Sequence, residues 1–323
     1  MNPRLLTQVA WDGRRGGSLR GLVGAAPVRL SRAGVKISFG EAEADGTMCI
    51  EGARWTWSSA DEQDESRANE ARGRAGSLRE ALITACARVP AGRVALALSG
   101  GVDSAVLAAL LRGRVAVYTL ESGLAGYCEG DEAQSLADRL GLELRRVRVD
   151  AEALVRAVPG AIRACETPLY NLHPVSRHLL ARAVRADGCD VLITGDGADE
   201  VFGGTNGGDY LPVVGALTRA AGLTAWAPFL DPAVAGFGLD VGKRMLRDLA
   251  VELGVPVEVA KRAKRPRFVP ALDLERYWDD VRVTELGRWL GLAPSRASDR
   301  ACVGWTTLAL FCEDYPGIER CAA

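Results

Sequence analysis

Between Ser77 and Thr194 the chain alternates short apolar runs, each bounded by turn residues, with segments whose apolar residues recur at helical spacing. Strands are expected at 93–98 (RVALAL), 115–120 (VAVYTL), 142–149 (LELRRVRV) and 190–194 (DVLIT). Helices are expected from Ser104 to Arg112, from about Asp131 to Leu140, and in segments reaching about Ala186. Neighbouring parallel strands need a crossover, and here each crossover reads as helical. The fold class implied is α/β, a doubly wound parallel sheet with helices on both faces. In such sheets ligands bind beyond the carboxyl ends of the strands, so the loops that follow the strands are where chemistry is expected.

The edges of this unit are marked. Ser77 and Glu80 in GSLREALITACARVP form a capping box, and Pro90 stands just past the helix they open. Ahead of it, ADEQDESRANEARGRAG carries many charges and no large apolar residue, as a linker or an exposed helix does. A boundary near residue 76 follows, with 1–76 a small β-rich N-terminal region and linker. Its alternating runs (Val35, Ile37, Phe39; Trp55, Trp57) are broken by SRAG, DG and EG turns. Residues 77–210 are expected to form the α/β core. After Tyr210 the strand signal fades, VGKRMLRDLAVELG and RVTELGRWLGL read as helices, and 211–323 is expected to be mainly helical.

With 323 residues, 48% of them hydrophobic, the chain can bury a core in each of two or three units. Lys plus Arg number 40 against 41 Asp plus Glu, a net charge of -1 that gives no whole-molecule attraction to nucleic acid or an anionic membrane. No run approaches the ~18 apolar residues of a membrane span, and the first residues hold no continuous apolar segment. A cytoplasmic protein with neither nucleic acid nor membrane as partner is expected. The eight cysteines include no CxxC pair, and His173 and His178 are the two histidines. Buried or incidental thiols are therefore expected rather than a zinc site or a disulfide framework, with Cys302, Cys312 and Cys321 the nearest approach to a cluster.

Two loops carry the chemistry. In LALSGGVDSAVLAALL (96–111) the pair Gly100 and Gly101 opens backbone conformations closed to other residues, and Ser104 sits where the next helix begins. Amide donors and the positive end of a helix then face one spot, which suits an anion. Any βα turn needs a glycine and a capping serine, so these features alone do not require a ligand. Ser99 adds a hydroxyl, however, and a carboxylate from Asp103 beside a phosphate is favourable only with a metal ion. The loop asks for phosphate plus Mg²⁺, and it is neither GxxxxGK[ST] nor GxGxxG. At the end of the fourth strand, TGDGADEVFGG (194–204) places Asp196, Asp199 and Glu200 among small residues. A turn with a capped helix would account for such a loop. A second aspartate at the sheet edge that carries Asp103 is also what a shared Mg²⁺ needs.

SGGVDS resembles the SGGxDS loop of the ATP-pyrophosphatase enzymes, among them the asparagine, GMP, NAD and argininosuccinate synthetases. TGDGADEVFGG resembles the GEGADExFGG signature of one branch, the asparagine synthetase family, which also holds β-lactam and carbapenam synthetases and lasso peptide cyclases. The resemblance covers roughly residues 77 to 275. It implies an adenine nucleotide alpha-hydrolase-like fold, use of ATP and Mg²⁺, and cleavage of ATP between the α and β phosphates as a substrate is adenylated. By this resemblance Asp103 and Asp199 hold Mg²⁺ on the pyrophosphate, and Ser99, Gly100, Gly101 and Ser104 belong to the phosphate loop. Leu98, Leu120, Thr194 and Gly195 offer backbone contacts to the nucleotide.

Further segments resemble the family's substrate domain: APFLD (227–231), GKRMLR (242–247) and KRAKRPRF (261–268). Taken alone, Lys243 and Lys264 would be surface lysines. The resemblance places both at the pyrophosphate, Lys243 through GKxxLR and Lys264 through the Arg-x-Lys pattern from Arg262, where they neutralise charge growing on the leaving group. One position departs from the signature, with Asp196 standing where the family has a glutamate beside the acyl-adenylate. Its shorter side chain implies a different acyl substrate or amine placement. CETPLYNLHPVSRHLLAR (165–182) resembles the segment ahead of the signature loop and turns Glu166 towards the site, while His173 and His178, five apart, read as structural.

Glutamine-dependent asparagine synthetases open with a nucleophilic cysteine at position 2. Here position 2 is Asn, only residues 1–76 precede the synthetase part, and Cys49 in GTMCIEG has no matching context, so internal glutamine hydrolysis is not expected. The expected activity is that of an ATP-dependent amide-forming ligase of specialised biosynthesis. A small-molecule or peptide carboxylate is adenylated, and the acyl group passes to an amine. The amine is ammonia, ammonia from a separate glutaminase partner, or the substrate's own amino group in a ring closure. Two alternatives stand beside this. Nucleoside or tRNA modification, as in other SGGxDS enzymes, is opposed by the neutral charge and the GDGADEVFGG loop. A non-catalytic partner subunit is opposed by the retention of Asp103, Asp199, Lys243 and Lys264, although the Asp196 change leaves it open.

Overall fold

The computed structural model describes residues 29–30, 35–38, 47–51, 54–58, 76–122, 129–165, 169, 172–203, 211–238, 240–262, 280–290, 294, 303–307, 309–310 and 319–320. Glu166 and Lys264, and the cysteines at 302, 312 and 321, lie outside them. Near the N-terminus, β1 (Arg29–Leu30), β2 (Val35–Ser38), β3 (Thr47–Glu51) and β4 (Arg54–Ser58) pair as an antiparallel meander. Its register sets Ile50 opposite both Val35 and Trp55. The outer neighbour of β1 is the two-residue strand Glu319–Arg320, paired parallel to it, so this sheet takes strands from both ends of the chain.

The second sheet is parallel throughout. It comprises β5 (Val94–Ala97), β6 (Ala116–Ser122), β7 (Leu144–Val149), β8 (Val191–Ile193) and β9 (Thr224–Trp226), in the order β7-β6-β5-β8-β9. The four strands read from the sequence are present. The fifth, β9, is three residues long, too short for a periodic signal, and pairs with β8 from Thr224 opposite Val191 to Trp226 opposite Ile193. Trp226 also donates its indole N–H to the Ala85 carbonyl at 3.2 Å, which fastens this edge to the helix Leu78–Ala87 (α1). Ser77 caps that helix by accepting the Glu80 amide at 3.2 Å.

The remaining helices that matter here are α2 (Val102–Leu110), α3 (Gly130–Leu140), α4 (Ala151–Cys165), α5 (His173–Ala186), α6 (Ala198–Phe202), α7 (Leu211–Ala220) and α8 (Arg244–Glu252). Successive strand residues face opposite sides of the sheet. Leu96, Val117 and Ile193 therefore pack into one core with residues of α1, α2, α3 and α8. Ala95, Tyr118 and Leu192 pack into another with Leu180, Ala181 and Val184 of α5. Both faces are covered, as the α/β reading requires.

From β5 the chain moves outward to β6 and β7, then returns to place β8 on the other side of β5. The order therefore reverses between β5 and β8, and the loops leaving these adjacent strands frame the crevice where α/β sheets bind ligands. Among the described residues no helix is long and apolar enough to cross a membrane.

Candidate active site

The first loop leaves β5 through Leu98, whose amide donates to the Tyr118 carbonyl at 2.7 Å and extends the pairing with β6. Gly100 has a φ of 72°, and an added Cβ would stand 2.9 Å from Glu132 Cβ, so both backbone and space demand glycine. Gly101 is extended, with a φ of -85°, and needs no such freedom. It is the N-cap of α2, which begins at Val102, ahead of the start expected at Ser104. Ser104 lies inside the first turn and does not cap the helix. Its hydroxyl accepts the Ser99 amide at 3.1 Å, lies 3.1 Å from the Ser99 hydroxyl, and donates to the Gly101 carbonyl at 3.2 Å. The two serines brace the loop from within.

The second loop leaves β8 through Thr194, whose amide donates to the Trp226 carbonyl at 3.0 Å. Gly195 lies directly against the first loop, since a Cβ there would meet Asp103 Cβ and the Ser104 amide, each at 3.2 Å. The two glycine-bearing loops are therefore packed on one another. Behind them, the short helix α6 buries Val201 and Phe202 and carries Asp199 in its first turn.

A third segment completes the cluster. Helix α8 buries Leu246, Leu249 and Ala250 and packs on α2, which brings the turn ahead of it to the loops. In that turn Gly242 (φ 75°) and Lys243 (φ 56°) are both left-handed, and Lys243 is the one non-glycine residue with positive φ among the described residues. Its ammonium lies 2.8 Å from Asp103 Oδ1 and 2.6 Å from Asp199 Oδ1. The Lys243 and Asp199 side chains are only 9% and 8% exposed. Burial by itself would lower the lysine pKa, but the two carboxylates outweigh it and the net shift is upward, so the ammonium stays charged.

Asp196 is held differently. Arg177, from the second turn of α5, donates to Asp196 Oδ1 at 3.1 Å and to Oδ2 at 2.5 Å, and the Thr194 hydroxyl donates to Oδ2 at 2.7 Å. Sequence reasoning missed Arg177, although it lies in the segment singled out ahead of the signature loop. The missed signal was the shortened acid, which needs a long cation to reach it once half-buried. Beside it, burial first and then the charges of Asp196 and Asp199 push the Glu200 carboxyl up to about 7. His178 faces the core, with Nδ1 donating to the Leu217 carbonyl at 3.1 Å, as a structural histidine does.

Leu120 lies on β6 near its carboxyl end. Arg247, the last residue of GKRMLR, donates to the carbonyls of Gly242, Ala260 and Arg262. It thereby ties the Lys243 turn to the start of the basic arm that carries Lys264.

Two carboxylates reaching one atom form a hard oxygen donor pair, of the kind that holds Mg²⁺ together with substrate phosphates. Among the described residues no group of three or more His, Cys, Asp or Glu is placed to hold a metal ion, so a metal at this pair would draw its other ligands from phosphate and water. In that respect Asp103 and Asp199 fit the ion.

Residues 77–221 match the asparagine synthase family. Amidase chry2 of Gibberella zeae is 36% identical over 129 residues, covering 34% of this chain and 19% of that one. A putative glutamine-hydrolyzing asparagine synthetase of Mycobacterium tuberculosis is 34% identical over 110 residues, 33% of this chain and 17% of that one. The chain thus spans about a fifth of the length of the curated relatives it matches. Among solved structures, an NH3-dependent NAD synthetase from Campylobacter jejuni aligns over 81% of this chain and 100% of that one, with 15% identity and a TM-score of 0.37. The two loops, with the sheet edge that presents them, lie within the residues 77–221 that match the asparagine synthase family.

Proposed function

We propose that this chain is an ATP-dependent ligase that activates a carboxylate as its adenylate, releases pyrophosphate, and forms an amide with ammonia or an amine. The observation that carries the reading is the meeting of Asp103, Asp199 and Lys243, from three separate segments, at the edge between β5 and β8. Mg²⁺, when bound by Asp103 and Asp199, would supply positive charge to the phosphates. The amides and hydroxyls of 98–104, with Thr194 and Gly195, orient the nucleotide, and Lys243 with Lys264 neutralises the departing pyrophosphate. Little further chemistry is needed, since an amine held against an acyl-adenylate reacts by proximity.

Asp196, with both oxygens already accepting hydrogen bonds, shapes the acyl side through Arg177 and is not free to take the amine's proton. The acid is a small molecule or peptide, the amine is ammonia from solution or from a glutaminase partner, or the substrate's own, and the setting is cytoplasmic specialised biosynthesis. Pyrophosphate release from ATP, assayed across carboxylates and amines, tests the proposal. Release that depends on one acid, and that falls about 10²-fold or more in Asp103→Ala with the fold intact, is the expected result. No release with any acid, together with no ATP binding, would favour a partner-subunit role.

A further inference from the structure

The position of Lys243 carries more than a phosphate contact. Its ammonium touches the same oxygen, Oδ1, of both aspartates assigned to the metal, and it does so from a buried side chain. A divalent ion and this ammonium therefore compete for one donor pair. We propose that Lys243 is the resident cation of the Asp103–Asp199 pair, and that a divalent metal enters only together with a nucleotide, by exchange with the lysine. The inference rests on the metal role proposed above for the two aspartates.

The charges decide the order. A divalent ion alone at the pair either stands beside the ammonium, where like charges repel with little screening, or expels it. An expelled Lys243 gives up both of the carboxylates that hold it, and a buried cation stripped of its ion pairs is strongly disfavoured. A nucleotide polyphosphate carries more negative charge than one metal ion neutralises, and its oxygens can accept the displaced ammonium. Metal and nucleotide then enter as a unit, and the lysine moves from carboxylate to phosphate by a small swing. The backbone is set for such a swing, because a left-handed lysine following a left-handed glycine is a conformation that persists only where its surroundings impose it. The contacts that impose it are the two ion pairs and the Lys243 amide on the Asp240 carbonyl at 2.8 Å.

Mn²⁺ binding to the full chain, read by the loss of the free-ion electron spin resonance signal, tests the exchange with and without α,β-methylene-ATP. Without nucleotide, Lys243→Gln is expected to bind Mn²⁺ at least about tenfold more tightly than the parent, and Mn²⁺ is expected to raise the melting temperature of the variant alone. With the analogue present, the two affinities are expected to converge. Gly242→Ala supplies a milder break should Lys243→Gln fail to fold. An added Cβ meets nothing within 4 Å, but the φ of 75° is unfavourable for alanine, so the turn loosens. Its Mn²⁺ affinity is expected to rise by about two- to threefold. Equal Mn²⁺ affinity in parent and variants without nucleotide overturns the exchange and leaves the metal role standing. No Mn²⁺ binding by parent or variants even with the analogue overturns both, and Asp103→Asn defines that baseline.

Discussion

Asp196 and Asp199 belong to one loop and differ by a single turn of chain, yet they are held by cations of different kinds. Asp199 meets an ammonium at 2.6 Å and shares it with Asp103 of the other loop. Asp196 meets the fork of a guanidinium at 3.1 and 2.5 Å and a hydroxyl at 2.7 Å. An ammonium is a compact charge with rotating donors, whereas a guanidinium fork fixes the plane of the carboxylate it holds. Asp199 therefore sits in a partnership that can be exchanged, and Asp196 in one that is fixed. Under the proposed function, the contrast would divide the crevice into a side where phosphate and metal come and go and a side whose shape is preset for the acyl group.

The largest effect that separates the two is expected from Asp199→Ala. Breaking a buried ion pair by removing one member costs about 3–5 kcal/mol, and with Asp103 still on Lys243 the lower end applies, read by urea unfolding. Pyrophosphate release should fall with it. A loss under about 1 kcal/mol would put the pair among surface salt bridges and erase the distinction. On the other side, Arg177 and Asp196 are 18% and 14% exposed, so their coupling is partly screened. A double-mutant cycle with Arg177→Ala and Asp196→Ala is expected to give about 1–2 kcal/mol. Arg177→Lys should recover little of it, because lysine cannot form the fork, and should raise KM for the acid while leaving ATP binding unchanged. Full recovery by lysine would make the two acids equivalent.

What could be read from the sequence was local. The β5 and β8 runs, the Ser77 cap and the two glycine-acid loops each declare themselves within a few residues, and each stands in the structure where the sequence puts it. What could not be read depends on distant partners. β9 is three residues whose strand character comes from pairing with β8 and from Trp226 reaching Ala85. The strand Glu319–Arg320 exists by pairing with Arg29–Leu30. Ser104 carries a capping residue's chemistry, but its hydroxyl is taken by Ser99 across the loop. Family likeness brought Lys243 to the site, yet the identity of its partners needed α8 packed on α2. Arg177 was hidden because an arginine inside a helix gives no signal until the acid it meets is known.

His178 sharpens the comparison from the next position along α5, because it sets the pH background against which both acids must be read. Burial lowers its pKa below the ordinary histidine value, Arg182 adds to that, and the Leu217 carbonyl opposes it. The native state therefore binds fewer protons than the unfolded chain at mildly acid pH. Stability is complete above the unfolded value of about 6.5 and is lost as pH falls through it, with a slope no steeper than about 1.4 kcal/mol per pH unit for one group. Urea unfolding from pH 8 to pH 5 should show this decline in the parent and a flatter curve in His178→Asn, whose amide can still donate to the Leu217 carbonyl. The same decline in both would take the acid sensitivity away from this histidine.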